Sequence, residues 1–108
     1  MAFLYVTEYA EQARDPNGMP ISAGKEPALA SNRAAIAVGS TDFGPLNAKT
    51  RFVRLHADAI CSVRMGIGAQ TAVATDARFA ANQTEFRSVA KEDIANANGV
   101  HIANIQNT

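Results

Sequence analysis

Short runs in which apolar and polar residues alternate, separated by Gly, Pro, Asn and Asp, recur along the whole chain. A period of two is the signature of half-buried strands. Residues 3–9 carry Phe3, Tyr5, Thr7 and Tyr9 on one alternate set and Leu4, Val6 and Glu8 on the other, a strand with one aromatic face. Asp15-Pro16-Asn17-Gly18 is a strong turn, because Pro presets φ at the second position and Gly tolerates the conformation that closes it. Residues 19–31 hold Pro20, Gly24 and Pro27 with little periodicity, so the stretch 10–32 reads as an arm or long loop that reaches toward a neighbour. The arm reading implies that removing residues 1–20 abolishes binding and spares a folded core.

Farther on, Ala34, Ile36 and Val38 share one face of a short strand over 33–39, and a loop spans 40–50 around Gly44-Pro45. The clearest alternation follows. Val53, Leu55 and Ala57 point inward on 51–57, as do Cys61, Val63 and Met65 on 60–66, with Ser62 and Arg64 outward. The short Asp58-Ala59 link predicts that these two strands form a hairpin. Gly66-Ile67-Gly68 opens a loop that runs to Asp76. Two short strands follow at 77–81 and 84–89, split by Asn82-Gln83 and anchored by Phe79, Phe86 and Val89. Lys91-Glu92-Asp93 is a charged turn or a single helical turn, Asn96–Gly99 a turn with positive φ at Asn98 or Gly99, and 100–105 a last strand before a polar tail. The competing reading, helix in the alanine-rich stretches 28–37 and 69–81, follows from alanine's propensity; only short helices at 9–14 or 90–97 fit the pattern. The prediction is an all-β fold, a small antiparallel β-sandwich or barrel of six to eight strands with an extended N-terminal arm or loop, forming one domain over 1–108.

Composition adds one consideration to this picture. Of the 108 residues, 22 are alanine, so few large side chains remain to fill the core. Since burial contributes about 25 cal/mol per Å² of apolar area, a thin core favours docking onto other subunits. Charge argues against nucleic acid: ten basic residues balance ten acidic ones, whereas phosphate binding calls for a basic surplus. The distribution is uneven, at −2 over 1–42, +4 over 43–91 and −2 beyond, which suits self-association or docking. A single cysteine, Cys61, precludes an intramolecular disulfide and fits a reducing compartment or a particle assembled in one. No signal peptide and no run of about 18 apolar residues is evident, so neither export by a leader nor a membrane span is expected.

Candidate chemistry is sparse. His56 and Asp58 fall on the same strand face, the spacing of a base and its orienting carboxylate, but the nearest nucleophile, Cys61, falls on the inward face as a core thiol. His56, His101 and Cys61 show no metal-ligand spacing, and Gly66-Ile67-Gly68 lacks the rest of a phosphate loop. No catalytic residue, cofactor or metal is assigned, and the chain reads as a binder and not an enzyme. The candidate protein-contact residues are the aromatic set Phe3, Tyr5 and Tyr9, which a core role would also explain, and the arginines Arg51, Arg54 and Arg64. These arginines lie with Lys49 on or beside the expected hairpin. Arginine is favoured in interfaces for its planar, multiply donating fork.

The stretch Asn47-Ala48-Lys49-Thr50-Arg51-Phe52-Val53-Arg54-Leu55-His56-Ala57-Asp58-Ala59-Ile60-Cys61-Ser62-Val63, with Arg78-Phe79-Ala80-Ala81-Asn82-Gln83-Thr84-Glu85-Phe86, resembles a family of small structural proteins of tailed bacteriophages. Leu4-Tyr5-Val6-Thr7-Glu8-Tyr9 and the turn near Asp15 resemble their N-termini, so the similarity spans nearly the whole chain. Asn96–Gly99 departs from it, being longer than the glycine turn the resemblance implies between the final two strands. The resemblance implies a virion component assembled in the host cytoplasm, most simply a capsid decoration (cement) protein. Its partners would be the major capsid protein or other virion subunits and further copies of itself, with a trimer favoured. A head–tail connector, tail or fibre-base protein is the alternative within the virion; a DNA-contacting protein inside the head and a small enzyme are the more distant ones.

Overall fold

The computed structural model describes residues 2–24 and 26–107. Two four-stranded antiparallel sheets pack face to face, which makes the fold a small β-sandwich. The first sheet has the order β4-β1-β6-β9, from β4 (Ala30–Ala35), β1 (Phe3–Tyr9), β6 (Phe52–Ala57) and β9 (Thr84–Ser88). The second has the order β5-β10-β7-β8, from β5 (Thr41–Phe43), β10 (Val100–Gln106), β7 (Cys61–Ile67) and β8 (Ala77–Phe79). A separate hairpin of β2 (Gln12–Arg14) and β3 (Pro20–Gly24) and one helical turn, α1 (Lys91–Ile94), complete the chain.

Alternation decides which side chains enter the core. Leu4 and Val6 of β1, Val53, Leu55 and Ala57 of β6, Cys61 and Val63 of β7, Phe79 of β8 and Val100 and Ile102 of β10 form one buried cluster between the sheets. Ile94 closes one end from α1, which explains why so short a helix persists: its one buried residue is an anchor. Glu8 belongs to the inward set with Leu4 and Val6 and is buried. The backbone N–H of Asn47 and the hydroxyl of Thr50 donate to its carboxylate at 2.6 and 2.8 Å, which pins the 44–51 loop over the end of the sandwich.

One expectation is overturned. Strands β6 and β7 do not form a hairpin; they lie in different sheets, and residues 58–60 cross between the layers. Asp58-Ala59 has alanine where two-residue hairpin turns place glycine, a position that requires positive φ. Both strands have a wholly apolar inner face, so facing each other across the core buries both. The next pair repeats the device: β8 and β9 also cross between sheets, through a turn at Asn82 with φ 63°. The two crossings are hydrogen-bonded, with Asn82 N–H donating to Ala57 O at 2.7 Å and Ala57 N–H to Gln83 O at 3.0 Å. β9 and β10 likewise do not pair, each serving a different sheet.

Smaller differences have local causes. Val38, expected inward with Ala34 and Ile36, is 84% exposed because β4 ends at Ala35, and the alternation does not continue beyond it. Ser62 points away from the core as expected but is fully buried, because the 68–76 loop crosses above it. Its hydroxyl donates to Ala74 O at 3.1 Å, Asn107 Nδ2 donates to the same carbonyl at 3.1 Å, and Ser40 Oγ accepts from Ala72 N–H at 2.8 Å. Residues 12–14, within the stretch 9–14 considered for helix, are strand.

The stretch 10–32 contains the β2–β3 hairpin and the start of β4; Lys25 within it lies outside the described residues. The turn at 15–18 forms as expected, with Asp15 Oδ1 accepting from Asn17 and Met19 N–H and Gly18 at φ 82°. Strand β3 lies against β6 and β9, and Gly24 sits so close to the ring of Tyr9 that no side chain fits between them. Because β1 pairs with β4 on one side and β6 on the other, residues 1–20 include an interior strand. Their removal would dismantle the first sheet, so the expected folded remnant does not follow.

Candidate functional site

The two outer faces of the sandwich are treated differently. That of the second sheet is covered by the 68–76 loop, held by the polar contacts above and by Arg64, which pairs with Asp76 at 3.1 Å. The Val73 backbone N–H, and then Arg64, hold the Asp76 carboxyl below the usual carboxylate range. On the first sheet the β2–β3 hairpin lies over one half only. Register places Phe3, Tyr5, Thr7 and Tyr9 of β1 beside Ala35, Arg33 and Ser31 of β4 and His56, Arg54 and Phe52 of β6. Tyr9 and Phe52 are buried, and Phe52 stacks on Phe86 of β9 at 5.5 Å between centroids. Burial, and after it the negative charge of Glu26, raises the Tyr9 hydroxyl pKa, with Arg54 opposing.

The other half is open. There Tyr5, Thr7, Ser31, Asn32, Arg33 and Arg54 line a shallow groove of about 530 Å³. Thr7 and Ser31 are small, while Tyr5 and the two arginines stand around them. The Arg33 guanidinium lies 4.0 Å from the Phe3 ring centroid, and Phe3, Tyr5 and His56 follow one another at 6.3 Å spacings. His56 Nδ1 meets Thr84 Oγ1 at 2.7 Å. Among the described residues no carboxylate lines the groove; Asp58 lies 4.0 Å from His56 Nε2.

Of the candidate contact residues, Phe3, Tyr5 and Arg54 share this open surface. Tyr9 is covered, Arg51 turns its guanidinium to Ala48 O and Thr50 O at 3.1 and 2.9 Å, and Arg64 lies on the opposite sheet. Arg33, Ser31 and Asn32 were not singled out from sequence. With Ala34 and Ile36 inward, Arg33 had to face out, but only pairing with β1 sets it beside Tyr5.

The chemical candidates stay apart. His56 and Asp58 are on the first sheet's outer side and Cys61 faces the core, while His101 of β10 meets Asp42 of β5 at 2.8 Å in the second sheet. Among the described residues no group of three or more His, Cys, Asp or Glu gathers as a metal set. No helix among them is long and apolar enough to cross a membrane. Burial pushes the Cys61 thiol up from 9.0 to about 11. Since the unfolded thiol ionises first, stability is fully present below about pH 9 and is lost as pH rises toward about 11. Urea titrations across that window should show a falling free energy whose slope is shallower in Cys61→Ala. An identical slope would mean that the thiol is not shielded. No family model matches the chain, and comparisons with curated proteins and with solved structures return no match either.

Proposed function

We propose that this chain is a structural component of a tailed-bacteriophage particle, a capsid decoration protein that docks on the head shell and braces adjacent subunits. The observation that carries the reading is the open half of the first sheet's outer face, where aromatic rings and arginines stand on a rigid two-sheet body. Aromatic residues and arginine are the types enriched where proteins meet, because each contributes large contact area with few rotatable bonds or several directed hydrogen bonds. The resemblance of residues 47–63 and 78–86 to small phage structural proteins supplies the setting. Docking on the major capsid protein, with copies of the chain associating at threefold positions, would let weak contacts add through multivalency. Binding the assembled shell and not its dissociated parts raises particle stability by mass action.

The test is occupancy. The purified chain should bind heads that lack it, and density for it should cover the head surface in many copies. Tyr5→Ala should weaken that binding at least tenfold with an unchanged circular dichroism spectrum. A single ring of copies at one vertex would identify a connector instead, and no association with particles would refute the virion reading.

A further inference from the structure

The groove on the first sheet has a feature that general stickiness does not explain: two guanidinium groups, one aromatic ring, two small hydroxylated residues, one amide and, among the described residues, no acid. Among the described residues, neither Arg33 nor Arg54 has an ion-pair partner; Arg33 is held only over the Phe3 ring. Arginine left uncompensated beside small residues leaves space for the group that would neutralise it. The groove also opens onto a sheet edge. β4 ends the order β4-β1-β6-β9, so one side of its backbone faces no strand of its sheet. The Ile36 N–H to Ala2 O bond at 3.0 Å fixes the phase of the β1–β4 ladder. Alternation then turns Ala30, Asn32 and Ala34 toward β1, and Ser31, Arg33 and Ala35 present their N–H and C=O groups outward. β4 contains no proline or lysine, its one charged residue is Arg33, and its register with β1 runs without a bulge from Ala30 to Ala35. Among the described residues it is therefore a regular, unpaired edge beside a cationic groove.

We infer that this corner receives an extended, acidic segment of a partner protein, which adds as a strand to β4 and lays a carboxylate into the groove between Arg33 and Arg54. Backbone pairing along Ser31, Arg33 and Ala35 supplies affinity, and the arginines supply selectivity for acid by charge-assisted hydrogen bonds. Protein is favoured over nucleic acid because the whole chain has no basic surplus, and two arginines alone neutralise too few phosphates for appreciable binding. The inference rests on the protein-binding reading above and specifies the chemistry of its partner.

The probe is a ten-residue peptide of alternating Thr and Glu, with the Thr-Gln analogue as control, titrated into the full chain at low salt and followed by amide chemical shifts. Saturable shifts at Ser31, Arg33 and Ala35 are expected, with little response to the Gln peptide. Arg33→Gln and Arg54→Gln should each weaken binding about tenfold, while Arg78→Gln on the opposite sheet leaves it unchanged. No saturable shift at β4, or equal binding by the double variant, overturns the inference. So does tighter binding of a single-stranded oligonucleotide than of the peptide, or self-association that occupies β4 in the peptide's absence. Heads that bind the chain and its double variant equally would sink this inference and leave the virion reading standing. Peptide binding without any association with heads would do the reverse.

Discussion

Replacing Glu8 by Leu is expected to lower the unfolding free energy by about 3 kcal/mol, a loss of about 10–20 °C in Tm for a domain of this size. Glu8 is buried at the end of β1 on the core-facing side, where its carboxylate accepts from Asn47 N–H and the Thr50 hydroxyl. Leucine matches the size but accepts nothing, so two charge-assisted bonds are lost and a buried hydroxyl, Thr50, is left unpaired. The cost arises because the donors remain. Glu8→Gln keeps one acceptor oxygen and should cost only about 1 kcal/mol, and a double-mutant cycle with Thr50→Val should show coupling of about 1 kcal/mol or more. Denaturant unfolding with an unchanged m-value is the measurement. A loss within about 0.5 kcal/mol for Glu8→Leu would mean that the 44–51 loop is held by something else.

Asn104 predicts the opposite sign. It is fully buried on β10, opposite Val63 of β7 and on the same side as Ile102, and among the described residues neither its amide nitrogen nor its amide oxygen has a hydrogen-bond partner. An unsatisfied buried polar group costs about 1–3 kcal/mol, and leucine, with the same branched heavy-atom skeleton, would restore apolar contact with the cluster around it. Asn104→Leu should therefore raise stability by about 2 kcal/mol, visible as a higher midpoint in guanidinium and a Tm increase of about 10 °C. An unchanged or lower midpoint would show that the amide is satisfied in solution. A chain that keeps such a residue despite its cost is not optimised for stability alone, which suits a protein that gains further stability in an assembly.

Much of the fold was legible because alternation is a local property. The apolar sets on residues 51–57 and 60–66 each identified a strand and its inner face, residues 3–9 and 100–105 were marked as strands, and of the anchors Phe79, Phe86 and Val89 the first and last reached the core while Phe86 stacks on Phe52. Gly18 and Gly99 occupy the positive-φ turn positions anticipated for them. The candidate surface was half legible. Phe3 and Tyr5 were marked by an aromatic set on one strand, whereas Tyr9 shows the same signal and is buried under the hairpin. Arg51, Arg54 and Arg64 looked alike in sequence, yet they end in a loop contact, an open groove and an ion pair.

The sequence by itself determined that this chain is a β protein, where most of its strands and turns fall, and which side of β6 and β7 avoids water. Each of those depends on residues within a few positions of one another, and transfer of apolar side chains from water needs no knowledge of the partner strand. Tertiary structure alone decided that β6 and β7 face each other across the core, that β1 lies inside its sheet, and that Arg33 and Arg54 flank one groove from strands two places apart. A short link between two strands with apolar inner faces permits a hairpin or a crossing alike. The choice falls to whichever arrangement buries both faces together, an energy that belongs to the assembled sandwich and to no single segment of it.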